Sequence, residues 1–149
     1  MVESARILIV DDDENIRNTM KAILEDEGYI VDLAANGKEA IKKTQEAAYN
    51  LALLDIRLPD MEGTELLEMM KDNVPRTRKI MITGYPSMQN AIAAVNKNAN
   101  AYLLKPICVE NLLKTVKEQL LSQEYEREFS EQKVANFIET RVRELAIRQ

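Results

Sequence analysis

The stretch ILIVDDDENIR, residues 7–17, decides the fold and raises the question of function. Its four leading apolar residues form a run typical of a buried strand, and the spacing of a helix begins a few residues later. Between them lie Asp11, Asp12 and Asp13, whose adjacent carboxylates repel one another. The sequence therefore leaves two interpretations of this turn open, a solvated connection or an ion site.

The composition is that of a globular protein and excludes several kinds of chemistry. Hydrophobic residues make up 46% and charged residues 30% of the 149, with only 4 Gly and 4 Pro, which rules out a low-complexity or collagen-like chain. Histidine is absent, so no mechanism with an imidazole base is open. The single cysteine, Cys108, can form neither an intrachain disulfide nor a cysteine zinc site.

Net charge and hydropathy bear on the partners that we expect. The net charge of −5 gives no basic surface for direct contact with nucleic acid or with an anionic membrane. No apolar signal core follows the start MVESAR, and no run approaches the roughly 20 apolar residues of a membrane span. We therefore expect a cytoplasmic protein.

Short apolar runs alternate with stretches of helical spacing along most of the chain. Asp32 interrupts the second run, which favours an edge strand, whereas the other runs are nearly continuous, as in strands covered on both faces. Asn36 and Glu39 resemble a capping box before the helix predicted at 37–48, Ser87 is a candidate cap for a helix at 88–97, and Gly28 suits the end of the first helix. The five runs lie at 5–10, 29–34, 51–54, 79–83 and 101–104. This (βα)5 order predicts an α/β fold, a doubly wound parallel sheet with helices on both faces.

Side chains capable of chemistry stand at four strand ends. In open α/β sheets, ligands bind outside the carboxyl ends of the strands, so these side chains are expected close together. Each alone has an ordinary structural explanation, such as a helix cap or a solvated surface charge, but their joint occurrence favours a site. The candidates are Asp11, Asp12 and Asp13 after the first strand, Asp55 after the third, Thr83 at the end of the fourth and Lys105 after the fifth.

Phosphoryl transfer to a carboxylate makes sense of this set. Close aspartates need a compensating cation, and Mg²⁺ prefers carboxylates, water and phosphate oxygens. The ion would neutralise an incoming phosphoryl group, while a lysine and a hydroxyl take its remaining oxygens. One carboxylate must then act as the nucleophile. Asp55 is the best candidate, since it stands alone at the end of a buried central strand.

Four motifs resemble the receiver domain of two-component response regulators. They are ILIVDDDENIR, LALLDIRLPDMEG, IMITGYPS and AYLLKP, and the resemblance covers about residues 5–121. It implies a flavodoxin-like sheet of order 2-1-3-4-5 that is phosphorylated on aspartate by a histidine kinase. It also implies a signalling switch that promotes its own aspartyl phosphorylation and dephosphorylation and is not a conventional enzyme.

The resemblance also assigns roles to residues around the acidic cluster. It implies that Asp55 is the phosphoacceptor and a metal ligand, that Asp12 binds Mg²⁺ directly, and that Asp11 binds it largely through water. The backbone carbonyl of Arg57 is implied as the third protein ligand. Asp13 is an additional acid, and we expect it to begin the first helix, where its charge suits the dipole.

The remaining roles concern the phosphoryl oxygens and the switch. The resemblance implies that Thr83 donates its hydroxyl to the phosphoryl group and that Lys105 pairs with it, next to a cis bond to Pro106. Tyr102 occupies the aromatic switch position, expected to turn inward when Thr83 moves toward the phosphate. Cys108 stands where the family often has a capping Ser, Thr or Asp, so we expect a weaker cap and no redox role.

The end of the chain is predicted to form an extension, 122–149, after a receiver domain at 1–121. No Gly or Pro follows Pro106, so one continuous helix of about 65 Å is permitted. Its apolar residues favour a partner surface, either a homodimer or a partner helix, although Glu128 and Glu131 break the coiled-coil seam. A short separate helix after a bend near 126–133, a disordered tail and the linker of a longer protein remain alternatives.

Three functions compete at this level. The first is a switch that signals through the face of its fourth helix, fifth strand and fifth helix and through the C-terminal helix, without a nucleic-acid-binding module in the 28 tail residues. The second is a haloacid dehalogenase-type phosphatase with Asp11 as nucleophile, but its signature fails at Asn15 and leaves Asp55 unused. The third is a flavodoxin-like binder of a nucleotide or FMN, in which three aspartates would repel the phosphate.

Overall fold

The structure is a computed structural model that describes residues 5–70, 76–84 and 99–147. Strands and helices alternate from the start, as the apolar runs predict. The strands are Arg6–Val10 (β1), Ile30–Ala34 (β2), Leu51–Asp55 (β3), Arg78–Thr83 (β4) and Ala101–Leu104 (β5). The helices are Glu14–Asp26 (α1), Gly37–Glu46 (α2), Gly63–Met69 (α3) and the C-terminal helix, Val109–Ile147. The helix predicted at 88–97 lies outside the described residues.

The strands form one parallel sheet of order β2-β1-β3-β4-β5. The predicted fold class and strand order are therefore confirmed. β3 lies at the centre, and all five of its residues are buried. β2 lies at an edge, which explains why a polar residue such as Asp32 is tolerated there.

Apolar side chains fill both faces of the sheet. Because successive residues of a strand point to opposite faces, β1 sends Ile7 and Ile9 to one layer and Leu8 and Val10 to the other. The first layer is completed by α1 and the start of the C-terminal helix, through Met20, Leu24, Leu112, Val116 and Leu120. The second is completed by α2 and α3, through Ala40, Leu66 and Leu67. This arrangement is the doubly wound fold that the sequence predicts.

Helix ends follow the predicted signals. Asn36 caps α2 by accepting the N–H of Glu39 at 2.9 Å, and the Glu39 carboxylate accepts the N–H of Ala35 at 2.7 Å. Gly28 follows α1 with a φ of 94°, a backbone conformation that L side chains rarely adopt. These local signals set where α1 ends and where α2 begins, and so how the loops meet the sheet.

The C-terminal helix is continuous over 39 residues, about 58 Å at 1.5 Å per residue. The alternatives of a bend near 126–133 and of a disordered tail are therefore wrong for the described residues. Its first turns pack on the sheet through buried Leu112, Val116 and Leu120, whereas every residue from Tyr125 to Ile147 is exposed. Within the described ranges, no helix combines the length and apolarity that a membrane crossing requires.

A polar anchor holds this helix where it leaves the sheet. The side-chain amide of Gln123, itself buried, donates to the carbonyl of Asn50 at 2.9 Å and to that of Arg76 at 2.6 Å. One turn later Glu126 forms an ion pair with Arg78. Asn50 and Arg78 stand at the starts of β3 and β4, so the anchor lies at the edge of the sheet opposite the carboxyl ends.

We predict that Gly63→Ala destabilises the protein by about 1–3 kcal/mol, the usual cost of overpacking. A Cβ at residue 63 would lie 2.2 Å from the carbonyl oxygen of Asp55 and 2.9 Å from the Cα of Ile56, so the backbone would have to move. Gly84→Ala is the matched control, because its Cβ would meet nothing closer than Lys105 carbons at 3.8 Å. Urea unfolding followed by circular dichroism measures both, and equal unfolding free energies would contradict the prediction.

Candidate functional site

The site lies where four strands end at one edge of the sheet. Asp11 directly follows β1, Asp55 ends β3, Thr83 ends β4 and Lys105 directly follows β5. β1 and β5 are separated in the sheet only by β3 and β4, so the order of strands brings these residues together. Asp11, Asp55 and Thr83 are buried, whereas Asp12 is exposed.

The ammonium group of Lys105 bridges two of the carboxylates. Its Nζ lies 3.0 Å from Oδ2 of Asp11 and 3.2 Å from Oδ2 of Asp55, and it donates a hydrogen bond to each. The Lys105–Pro106 peptide bond is cis, as the resemblance implies. The backbone N–H of Lys105 donates to the carbonyl of Thr83 at 2.7 Å, which joins β4 and β5 beside the cluster.

Burial and charge set the protonation of this cluster. Burial raises the pKa of the Asp55 carboxyl, the neighbouring Asp11 raises it further, and Lys105 only partly offsets the two. For Lys105, burial favours the neutral amine, but the hydrogen bond and charge of Asp11, with Asp55, outweigh it and raise the pKa. One cation therefore faces two buried carboxylates, and a further positive charge is favoured.

The carboxylates form a donor set suited to a hard cation. Asp11, Asp12 and Asp55 each offer an oxygen, and these oxygens lie within 4.8 Å of one another. Mg²⁺ takes oxygen ligands and commonly binds through a few carboxylates, so the residues present fit this ion. Arg57, whose carbonyl the resemblance implies as a ligand, lies two positions after Asp55. Its N–H donates to Oδ1 of Asp55 at 3.4 Å.

The three adjacent aspartates have three different environments. Oδ1 of Asp13 accepts the N–H of Asn15 at 2.9 Å and of Ile16 at 3.1 Å, which confirms that Asp13 begins α1, as its N-cap. Asp11 is buried and accepts the N–H of Asp13 at 2.9 Å through its Oδ1. Asp12 faces solvent within reach of the other carboxylates. The turn is thus partly a helix cap and partly a candidate cation site.

Tyr102, predicted as the switch residue, lies in β5 and packs against the apolar layer shared by α2 and α3. Burial raises the pKa of its phenol. Its hydroxyl oxygen is buried and has no hydrogen-bond partner in the part of the chain that the structure describes. An unpaired buried hydroxyl costs free energy, so a rearrangement that gives it a partner would be favoured.

Cys108 directly precedes the C-terminal helix and is exposed. Its carbonyl accepts the N–H of Leu112 at 2.9 Å, so the residue begins the helix through its backbone.

Two residues near the site were not predicted from the sequence. The guanidinium of Arg17 donates to the carbonyl of Asp11 at 2.7 Å, which holds the β1–α1 turn from the side of α1. The carboxylate of Asp60 accepts the backbone N–H groups of Gly37 and Lys38 at 2.8 and 3.0 Å, which ties the loop after Asp55 to α2. A charged residue on a helix or in a loop gives no local signal of such a contact.

The family model of the response regulator receiver domain matches residues 7–117. The match covers most of the chain, and the chain belongs to this family of two-component signalling domains.

Solved structures and curated proteins agree with that assignment. A CheY-like response regulator receiver domain protein from Methanospirillum hungatei JF-1 is 50% identical, with a TM-score of 0.79 and coverage of 83% of this chain and 98% of that chain. The beryllofluoride-activated NtrC4 receiver domain dimer is 39% identical, with a TM-score of 0.74 and coverage of 79% and 98%. The regulatory protein VanRB of Enterococcus faecalis is 40% identical over 117 residues, which are 78% of this chain and 53% of that protein. The chain spans about a quarter to a half of the length of the first curated relatives.

We predict that Asp55→Asn stabilises the protein at pH 7 without divalent ions. The folded state raises the pKa of Asp55, so folding stability falls as the pH rises from the usual aspartate range through the raised value. The amide removes this penalty and keeps an oxygen acceptor for Lys105. Urea unfolding at pH 7 and at pH 4 should show the advantage at pH 7 and its decline at pH 4.

The same urea unfolding of the native protein and of Asp55→Asn is then repeated with Mg²⁺. At one hundred times its Kd the ion would stabilise the native Asp55 protein by about 2.7 kcal/mol and reverse the order of the two proteins. A variant that is less stable than the native protein at pH 7 without ions would contradict the prediction.

Proposed function

We propose that this chain is a phosphorylation-activated receiver that accepts a phosphoryl group from a histidine kinase on Asp55, with Mg²⁺ as its cofactor. The observation that carries the proposal is the contact of one ammonium group, that of Lys105, with the carboxylates of both Asp11 and Asp55. Lys105 is 94 positions from Asp11 and 50 positions from Asp55 in the sequence, and the contact brings all three into one charge cluster. Family membership makes a histidine kinase the expected phosphodonor.

The transfer exchanges one bond to phosphorus for another. A carboxylate oxygen of Asp55 bonds to phosphorus as the bond between phosphorus and the imidazole nitrogen of the kinase breaks, and that nitrogen keeps the electron pair. Held by Asp11, Asp12, Asp55 and the carbonyl of Arg57, Mg²⁺ would supply charge neutralisation at the phosphoryl oxygens. Lys105 already lies at Asp55 and pairs with the new negative charge. Water later attacks phosphorus, the bond between phosphorus and the Asp55 oxygen breaks, and the carboxylate is restored as inorganic phosphate leaves.

Asp55 is a better acceptor than Asp11. Each carboxylate accepts two hydrogen bonds, but those to Asp11 are shorter, 2.9 and 3.0 Å, than those to Asp55, 3.4 and 3.2 Å. Asp55 is the more accessible of the two, with 10% of its side chain exposed against 2% for Asp11. Together with the family match, this favours the receiver over the phosphatase with Asp11 as nucleophile.

The response to phosphorylation would begin at Thr83 and Tyr102. Thr83 ends β4 beside Lys105, so a hydroxyl that moves toward the phosphoryl group would leave space near β5. Tyr102, whose buried hydroxyl has no partner among the described residues, would turn into that space. The signal would then reach the face formed by the fourth helix of the family fold, β5 and the C-terminal helix.

The C-terminal helix is proposed as the output element, with residues 1–121 as the receiver and 122–149 as its extension. Val134, Ile138, Val142 and Leu145 recur at spacings of three and four, and each is more than half exposed. Such a stripe is favoured when a second helix covers it. We propose a homodimer, in line with the dimer described for the activated NtrC4 receiver.

The longer curated relatives include transcriptional regulators, so transcriptional control is the proposed output of the signal. The chain itself makes no direct contact with nucleic acid or membrane in this proposal, and it acts in the cytoplasm.

We predict that incubation with Mg²⁺ and acetyl phosphate adds one phosphoryl group to Asp55. Asp55→Asn should abolish incorporation, and Lys105→Ala should slow it by about a hundredfold, as for loss of one group that stabilises transition-state charge. Asp13→Asn is the control, because asparagine caps a helix as well as aspartate does and Asp13 holds no role in the transfer. Intact-mass and peptide mass spectrometry measure the product, and phosphate mapped to Asp11 would contradict the proposal.

We predict that beryllofluoride with Mg²⁺ strengthens dimerisation and that Ile138→Asp with Val142→Asp abolishes it. A buried aspartate pair at the helix seam would lose both apolar contact and hydration. Thr140 lies on the opposite face of the helix, so the control variant Thr140→Asp should leave the dimer intact. Sedimentation equilibrium measures the dissociation constants, and equal values with and without beryllofluoride would count against phosphorylation-dependent pairing.

A further inference from the structure

The β3–α3 loop, residues 56–62, follows Asp55 and is closed at its base. The N–H of Gly63 donates to the carbonyl of Ile56, and Arg57 and Glu62 form an antiparallel bridge. Further out, the N–H of Leu58 donates to the carbonyl of Met61 at 3.2 Å. The loop is therefore a small unit closed by its own backbone hydrogen bonds.

The tip of this loop is bound to the first turn of α2. Oδ1 of Asp60 accepts the N–H of Gly37 at 2.8 Å, and Oδ2 accepts the N–H of Lys38 at 3.0 Å. Met61 packs directly on Gly37, where a Cβ would lie 2.4 Å from its sulfur. Both contacts link residues that are more than twenty positions apart, so they hold the loop against α2.

The contacts also complete the cap of α2. The first N–H groups of a helix lack partners within the helix. The side chain of Asn36, the local cap, accepts that of Glu39, and Asp60 accepts those of Gly37 and Lys38. The Gly37 and Lys38 amides hold the pKa of Asp60 below its usual range, so the carboxylate stays charged where the helix dipole favours it.

We propose that Asp60 is a positioning residue that fixes the β3–α3 loop, and through it the backbone of Arg57 and the carboxylate of Asp55, for Mg²⁺ binding and phosphoryl transfer. The inference rests on the function proposed above for Asp55. The link to the carboxylate is direct, because the N–H of Arg57 donates to Oδ1 of Asp55. A loop released from α2 would shift this N–H and the adjoining carbonyl together.

Three variants separate positioning from helix capping. Asp60→Ala removes both bonds between the loop and α2. Asn36→Ala removes a cap from the same turn of the same helix without touching the loop. Asp60→Asn keeps one acceptor oxygen and is the conservative rescue. Each variant is studied at a temperature at which circular dichroism shows it to be fully folded.

The first readout needs neither Mg²⁺ nor phosphate. Hydrogen exchange of the metal-free protein should show faster exchange at the amides of Leu58 and Gly63 in Asp60→Ala than in the native protein. The same amides should be unchanged in Asn36→Ala. Equal exchange in Asp60→Ala and the native protein would overturn the proposal, whether or not Asp55 accepts phosphate.

The second readout is the Kd for Mg²⁺ by calorimetry, together with the phosphorylation rate at saturating Mg²⁺. Asp60→Ala should weaken Mg²⁺ binding by about tenfold, the lower end of the loss seen when groups behind metal ligands are removed. Asp60→Asn should recover most of it, and Asn36→Ala should match the native protein. Equal losses of Mg²⁺ affinity in Asp60→Ala and Asn36→Ala would show that Asp60 acts only as a helix cap, and this would overturn the proposal. A native protein that binds Mg²⁺ but takes no phosphate on Asp55 would instead overturn the proposed function.

Discussion

The ion pair between Lys105 and the two buried carboxylates is the constraint on which the rest of the molecule depends. An isolated buried charge is costly, and two carboxylates at one edge of a sheet repel each other, so a cation between them stabilises the cluster. The strand order brings Asp11, Asp55 and Lys105 to that position. The raised pKa of Asp55 indicates that one ammonium does not fully compensate the pair. The site is thus held together and still receptive to further positive charge.

The fold separates a rigid platform from adjustable connections. β1 and β3 are buried on both faces, so the positions of Asp11 and Asp55 follow from close packing. The loops that complete the site are held differently, by a few polar contacts such as those of Asp60 with Gly37 and Lys38 or that of Arg17 with the carbonyl of Asp11. Charge-assisted hydrogen bonds of this kind are directional and can break or form without disturbing the core.

The strands, the start of α2 and the candidate site could be predicted from the sequence because buried segments and helix caps have recognisable local patterns. Apolar runs predicted the strands, the Asn36 and Glu39 pair marked the start of α2, and residues at strand ends suggested the site. Strand order leaves no trace in the periodicity and followed only from the family resemblance. Asp60 and Gln123 escaped prediction because their partners lie 23 and as many as 73 positions away, and a polar residue in a loop or on a helix has many unremarkable explanations. The absence of Gly and Pro after Pro106 permitted a long C-terminal helix but did not require one.

The anchor at Gln123 has a mechanical consequence. Beyond Glu126 the C-terminal helix extends freely for about 30 Å. If the helix tilts, it would pivot about the contact of Gln123 with the starts of β3 and β4. A tilt of about ten degrees there would carry the far end through about 5 Å, close to one helical turn. A displacement of ångström size inside the domain would thereby be amplified at its periphery.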